Sequence, residues 1–206
     1  MTARLPRIAV VDYGAGNLVS IDQALRAVDA EPVVARDPAS IAGANLLLVP
    51  GVGAAAPAMD RLRAAGLVDA IRGWIAAGRP FLGICLGMQL LFERTDEDRT
   101  LGLGMFSGAV QKLRASPKHP VPHMGWNELS KMKSDPLLEG IPGGSYAYFV
   151  HSYAAPVSEL TLAAAKYETA ISAMVRRRNF WGTQFHPERS GSAGAQVLAN
   201  FLEVEP

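Results

Sequence analysis

Cysteine is almost missing from this chain: Cys85 is the only one in 206 residues. One thiol cannot close an internal disulfide, so the sequence predicts no such crosslink and a reducing compartment, read here as the cytoplasm. Long hydrophobic runs are missing too. The stretch 46–59, LLLVPGVGAAAPAM, is interrupted by Gly and Pro, so no membrane span of about 20 apolar residues is expected. The N-terminal MTARLPRIAVVDYG stops being apolar at Asp12, too early for a secretory signal. Neither sign of charge is in excess. Lys plus Arg number 20 against 19 Asp plus Glu, which predicts no nucleic-acid or membrane-surface binding for the chain as a whole. No grouping of His, Cys and acidic residues has metal-ligand spacing. Gly51, Gly53 and Ala56 match a dinucleotide fingerprint only formally, because they follow a later strand and Pro57 breaks the turn. No metal and no other cofactor is therefore expected.

What is present fits a globular α/β protein, with 49% hydrophobic and 19% charged residues. The length suits one domain over 1–206. Ile8 to Val11, Leu46 to Val49 and Phe81 to Ile84 are unalternated apolar runs of strand length. Between them, Leu18, Ile21, Leu25 and Val28 fall on one helical face with Asn17 as cap, and Leu67, Val68, Ile71, Trp74 and Ile75 mark another helix. This pattern predicts a mostly parallel sheet flanked by helices. The strands would end in DYGAGN (12–17), PGVG (50–53) and ICLG (84–87), at the edge where such sheets hold ligands. The segments 124–129, 146–153, 160–168 and 171–178 read as an antiparallel extension, and a closing helix begins near Ser192. The charged segment 93–100, ERTDEDRT, reads as a solvated loop, His119 as an exposed loop residue, and Arg176 to Arg178 as a solvated hairpin.

The lone cysteine carries the chemistry. Buried cysteines are commonly inert, but Cys85 lies in FLGICLGMQLLF (81–92) between Gly83 and Gly87, a pattern that predicts a strained strand-to-helix elbow with the sulfur projecting from it. A helix starting at Leu86 would aim amide dipoles at the sulfur and favour thiolate. In GTQFHPE (182–188), His186 supplies a base and Glu188 a group to orient it, the logic of a nucleophile, base and orienter. Acyl chemistry also needs oxyanion donors, predicted at the amide of Leu86 and in the PGVG turn.

These three motifs resemble those of the class I (triad) glutamine amidotransferases. DYGAGN, VPHMGWN (121–127) and YFVHSY (148–153) narrow the resemblance to the glutaminase subunits of imidazole glycerol phosphate synthase, over residues 8 to about 202. The resemblance implies a class I amidotransferase-like α/β fold. It implies that Cys85 attacks the side-chain amide of L-glutamine, that His186 protonates the leaving ammonia, and that water frees glutamate from a thioester. Gly51, Val52 and Gly53, Leu86, Gln89, and the backbone of Ser152 and Tyr153 would hold the substrate. Ammonia would pass to a (β/α)₈ barrel cyclase subunit in a heterodimer of histidine biosynthesis. The docking face would hold Asn17, Met124, Trp126, Tyr148 and Arg189, with Trp126 and Tyr148 as ordinary core aromatics the alternative. Ala55 stands where an aromatic is frequent, and Arg189 where lysine is usual. The competing functions are a glutaminase subunit of another synthase and a freestanding γ-glutamyl cysteine hydrolase active without a partner. The roles of His123 and His151 stay open.

Overall fold

The computed structural model describes residues 5–131 and 133–205; the first four residues of the N-terminal stretch read above lie outside them. Regular structure begins with β1 (Arg7–Val11), whose alternate residues serve two cores, Ile8 and Val10 on one side and Ala9 and Val11 on the other. Asn17 caps α1 (Leu18–Arg26), its side-chain oxygen accepting the Ser20 amide at 3.2 Å. β2 (Glu31–Ala35), α2 (Pro38–Ala42), β3 (Leu46–Val49), α3 (Ala55–Ala64), α4 (Leu67–Ala76) and β4 (Phe81–Ile84) follow. β3 and β4 split as β1 does: Leu46, Leu48, Leu82 and Ile84 join the first core, Leu47, Val49 and Phe81 the second. Strands apolar on both faces need cover on both faces. Ile21 and Leu25 of α1 cover one; Met59 and Leu62 of α3 with Ile71 and Trp74 of α4 cover the other.

After the single turn α5 (Leu86–Gln89) come β5 (Phe92–Thr95), β6 (Phe106–Lys112), β7 (His123–Glu128), β8 (Ser130–Lys131), β9 (Tyr146–His151), β10 (Tyr153–Ala154), β11 (Thr161–Tyr167), β12 (Thr169–Arg177), β13 (Phe180–Thr183) and α6 (Gly191–Leu202). Among the described residues the main sheet runs β2-β1-β3-β4-β13-β12-β11-β8. Its first five strands are parallel and the last three antiparallel; β1, β3 and β4 are the apolar runs read from the sequence, while β2, β13 and the edge strand β8 have no counterpart there. Val197, Leu198 and Phe201 of α6 close the core beneath α1. β5, β6 and β10 form a small sheet, and β7 pairs with β9 in a separate antiparallel ribbon.

Two consequences of this register position the site. The parallel pairing of β4 with β13 sets Ile84 beside Thr183, so the chain leaves the sheet as Cys85 and Gln184 side by side. The turns after β1, β3 and β4 gather at one edge, where the buried Tyr13 hydroxyl donates to the Pro50 carbonyl at 2.9 Å.

Several local expectations are corrected. Residues 93–100 are not simply a solvated loop: β5 runs through Thr95, which is buried, and the turn closes by Thr95 N–H to Thr100 O at 2.9 Å. The high charge of the segment hides its one buried position, Thr95. Arg176 is not merely solvated, since its guanidinium sits 2.7 Å from the buried carboxylate of Asp135 and stacks over Trp181. His119 is half-buried and 2.8 Å from Glu168 Oε2. The helix at Leu86 is only four residues long, so its dipole is weak and does little for the thiolate, contrary to the expectation. Among the described residues no helix is long and apolar enough to cross a membrane, and no group of three His, Cys, Asp or Glu is placed to hold a metal.

Two helical glycines make the packing testable. A Cβ on Gly194 in α6 would lie 2.0 Å from the carbonyl oxygen of Pro187, whereas one on Gly73 in α4 would meet nothing within 4 Å. Gly194→Ala is expected to lower the thermal midpoint by about 4–8 °C, the effect of roughly 2 kcal/mol of overpacking in a chain of this size. Gly73→Ala is expected to leave it unchanged or raise it, because alanine costs less backbone entropy in a helix. Calorimetry on the two variants checks both, and equal midpoints would contradict the packing described.

Candidate active site

Cys85 has φ 53° and ψ −107°, a left-handed backbone that costs an L-residue about 1–3 kcal/mol and survives only where its surroundings impose it. Its N–H donates to the Thr183 carbonyl at 2.7 Å, which locks the elbow to β13. On the other side a Cβ at Gly87 would come within 1.9 Å of the Val49 carbonyl oxygen, so only glycine lets the turn lie against β3. Cys85 as a whole is 5% exposed. Its sulfur is near enough to donate to the Val150 carbonyl at 3.9 Å, and the side-chain nitrogen of Gln184 lies 3.7 Å from it.

The His186 loop is held from β9. His186 N–H donates to the Tyr148 carbonyl at 2.9 Å, Tyr148 N–H donates to Ser190 Oγ at 2.9 Å, and that hydroxyl donates back to the His186 carbonyl at 2.6 Å. The imidazole Nδ1 lies 2.8 Å from Glu188 Oε1, with both side chains buried. A carboxylate can only accept, so Nδ1 carries the proton and Nε2 is the working nitrogen. Nε2 is buried with no hydrogen-bond partner and the ring feels the Cys85 sulfur, so it is free to take the thiol proton; catalytic bonds commonly close only when substrate binds. Burial alone would push the pKa of His186 down. The Cys85 sulfur and then the Glu188 carboxylate beside the ring outweigh that and raise it to about 10. A proton delivered to the imidazole is therefore held there despite the burial.

Cys85 opens into a cavity of about 470 Å³ whose walls include Val52, Gly53, Leu86, Gln89, Ser152 and Tyr153. Six of the seven residues expected to hold substrate thus share this wall, Gly51 being absent from it, and two further qualifications apply. The carbonyl of Ser152 accepts Leu113 N–H at 2.9 Å, and that of Tyr153 accepts both Gln89 Nε2 at 2.8 Å and His151 Nδ1 at 2.9 Å. Those carbonyls are therefore already engaged. The oxyanion site is not formed either: the Leu86 amide meets the carbonyl of Gly51 at 3.4 Å instead of an open position. Gly51 has no room for a side chain there, since a Cβ would lie 2.4 Å from the Tyr13 hydroxyl. Ala55 is fully buried, and its N–H donates to Glu97 Oε2 at 2.9 Å.

Glu97 also lines the cavity. Nothing in the sequence signalled it, because it lies in a run of charges. Gln184 was legible only through the pairing of β4 with β13. His123 and His151 are now placed: His123 Nδ1 lies 3.0 Å from His151 Nε2, and His123 stacks between Tyr167 and Phe149. Desolvation first, and then the neighbouring histidines, lower His123 to about 4 and His151 to about 3. Both rings are neutral at pH 7.

Asn17, Met124, Trp126 and Arg189 are exposed, while Tyr148 is half-buried. Trp126 is 57% and Met124 64% exposed, so Trp126 is not a core aromatic. Its ring meets Tyr148 edge-on at 6.1 Å, and the Arg189 guanidinium lies 4.4 Å over the Tyr148 ring.

Comparison with known proteins gives a consistent result. The profile of the family described as glutamine amidotransferase class-I matches residues 9–204. The imidazole glycerol phosphate synthase subunit HisH of Synechococcus elongatus is 47% identical over 204 residues, 97% of this chain and 94% of that protein. The protein of the same name from Bacillus cereus (strain ATCC 14579) is 45% identical over 199 residues, covering 96% and 94%. Among solved structures, PurLQS from Thermotoga maritima superposes with a TM-score of 0.73 at 21% identity, covering 97% of this chain and 98% of that one, a likeness of fold.

Two measurements test the site. Iodoacetamide is expected to place one adduct, on Cys85. At pH 7 the rate should fall about tenfold or more in His186→Ala, which removes the proton acceptor. An unchanged rate would separate the imidazole from the thiol. The lowered pKa values of His123 and His151 also set the sign of a pH effect on stability. The unfolded chain binds their protons below about 6.5, the folded chain only near 4 and 3. Stability should therefore fall as pH drops from 6.5 toward 4, and His123→Phe should flatten that slope in urea titrations. A slope as steep as wild type would contradict the assignment.

Proposed function

Because this chain belongs to the class I glutamine amidotransferases, and within them to the HisH subunits of imidazole glycerol phosphate synthase, we propose that it is a single-domain, cytoplasmic glutaminase subunit that makes ammonia from L-glutamine for a (β/α)₈ barrel cyclase partner. The observation that carries this reading is the left-handed Cys85 elbow opening into a cavity of about 470 Å³ beside a His186–Glu188 pair 2.8 Å apart.

In the proposed mechanism the Cys85 thiol gives its proton to His186 Nε2, and the thiolate attacks the side-chain carbonyl carbon of glutamine. The tetrahedral intermediate collapses as imidazolium returns that proton to the amide nitrogen. The C–N bond breaks, ammonia leaves, and a thioester remains. Water, deprotonated by the same imidazole, adds to the thioester; glutamate departs and the thiol is restored. Glu188 keeps Nδ1 protonated throughout, and no cofactor is required. Glu97 and the carbonyl of Gln89 suit the α-amino end of the substrate, since both amide protons of Gln89 are already donated.

The developing oxyanion needs the Leu86 amide, which in this state is met by Gly51 O. Rotation of the Gly51–Val52 peptide would withdraw that carbonyl and present an N–H in its place. Each such donor is worth about 3–4 kcal/mol of barrier, so a chain with the turn in this state is nearly inactive. The exposed Met124 and Trp126 with Tyr148, Arg189 and Asn17 suit a face that receives the cyclase and excludes water from the ammonia exit.

Purified alone, the chain is expected to turn over glutamine at least about 100-fold more slowly than in complex with the cyclase carrying its ligand. Cys85→Ala should abolish turnover in both states. Full activity of the chain alone would overturn the partner-dependent reading in favour of the freestanding hydrolase. Trp126→Ala should weaken cyclase binding or uncouple ammonia transfer without lowering the thermal midpoint.

A further inference from the structure

Gln184 is fully buried and both ends of its amide are engaged: Nε2 lies 3.7 Å from Cys85 Sγ, and Oε1 lies 3.0 Å from Gln89 Nε2. The surrounding bonds fix which end is which. The Tyr153 carbonyl can only accept, so Gln89 must turn its NH2 toward it, at 2.8 Å. The second proton of that NH2 needs an acceptor, and Gln184 Oε1 is it. The NH2 of Gln184 is thereby left facing the sulfur. The same Tyr153 carbonyl takes the Nδ1–H of His151, whose Nε2 takes the Nδ1–H of His123. Each bond sets the direction of the next.

On this basis we propose that Gln184 is a catalytic residue that donates an N–H to the Cys85 sulfur, favouring the attacking thiolate, while its carbonyl keeps Gln89 turned toward the substrate. The proposal rests on the reading of Cys85 as the nucleophile. Its physical core is a change of sign at the sulfur. The thiol can donate to the Val150 carbonyl at 3.9 Å. When the proton moves to His186, that carbonyl faces a negative sulfur and becomes unfavourable. The Gln184 N–H then strengthens, because hydrogen bonds to ions exceed those to neutral acceptors. A buried amide that only satisfied its neighbours would use the same bonds without altering the reactivity of the thiol. Of the ionisable groups around the sulfur, His186 and Tyr13 interact with its charge, and Glu97 and His151 line the same cavity.

The test is the pH–rate profile for iodoacetamide on the full chain, wild type against Gln184→Met, a side chain of similar length without donor or acceptor. The profile is expected to move up by about one pH unit and the rate at pH 7 to fall about tenfold. With the cyclase present, kcat should fall and KM for glutamine rise, since Gln89 loses its partner. On labelled wild type, the Gln184 side-chain amide resonances should shift with the same midpoint as the alkylation profile. That measurement decides the matter should Gln184→Met fail to fold. A wild-type thiol that does not react would overturn the nucleophile reading itself. A reactive wild-type thiol with an unchanged profile in folded Gln184→Met, or amide resonances that stay still through the titration, would overturn the role of Gln184 alone.

Discussion

The backbone of Cys85 is the constraint on which the rest of the site depends. At φ 53° it does not persist unaided. It is held by its N–H on the Thr183 carbonyl and by the close approach of Gly87 to β3. Both anchors belong to strands flanking β4, so the strain at the elbow is carried by the central parallel sheet and its two packed faces. The same pairing delivers the second chemical segment. β13 lies beside β4, and the residues after it, Gln184 to Glu188, must emerge beside the sulfur.

The far wall of the site hangs on one strand. Along β9 and just past it, Tyr148 fixes His186 and Ser190 through its backbone, Val150 faces the sulfur, His151 holds the Tyr153 carbonyl, and Ser152 lines the cavity. The Tyr148 side chain meets Trp126 and Arg189 at the surface. A displacement of β9 by a docked partner would therefore act on the imidazole, the thiol and the substrate wall together. That ribbon, β7 with β9, lies outside the main sheet and is tied to it through His123 on Tyr167 and Asn127 on the Lys166 carbonyl.

Most of the sheet was legible because parallel strands covered on both faces must be apolar throughout, and Ile8–Val11, Leu46–Val49 and Phe81–Ile84 are. The elbow was legible because a cysteine between two glycines is an unusual use of all three residues. What was not legible has a common cause: it depends on partners distant in the chain. Glu97 looks like one charge among several until Ala55 and the cavity are beside it. Arg176 looks solvated until the buried Asp135 is placed 2.7 Å away. His123 and His151 each read as an isolated histidine, and only the register of β7 with β9 makes them a pair.

The resting oxyanion turn is a matter of small energies. The Leu86 amide and Gly51 carbonyl meet at 3.4 Å, beyond the 2.7–3.2 Å of a well-formed bond, so little is lost when they separate. Gly53, at φ 87° with open space around it, offers little steric resistance to rotation of the neighbouring peptide. Against this, the Tyr13 hydroxyl keeps Pro50 fixed at the start of the turn. Movement is thereby confined to the peptides after Gly51, those able to bring an N–H to the oxyanion position. A partner can shift such an equilibrium only by binding one state more tightly. Moving it from 1:99 to 99:1 takes about 5.5 kcal/mol of that difference. An interface built on Trp126 and Tyr148 is of a kind that supplies such energies, since buried aromatic anchors are individually worth about 2–4 kcal/mol. The proposed silence alone and activity in complex would thus both follow from a change of peptide orientation in one turn beside a nucleophile held by the sheet.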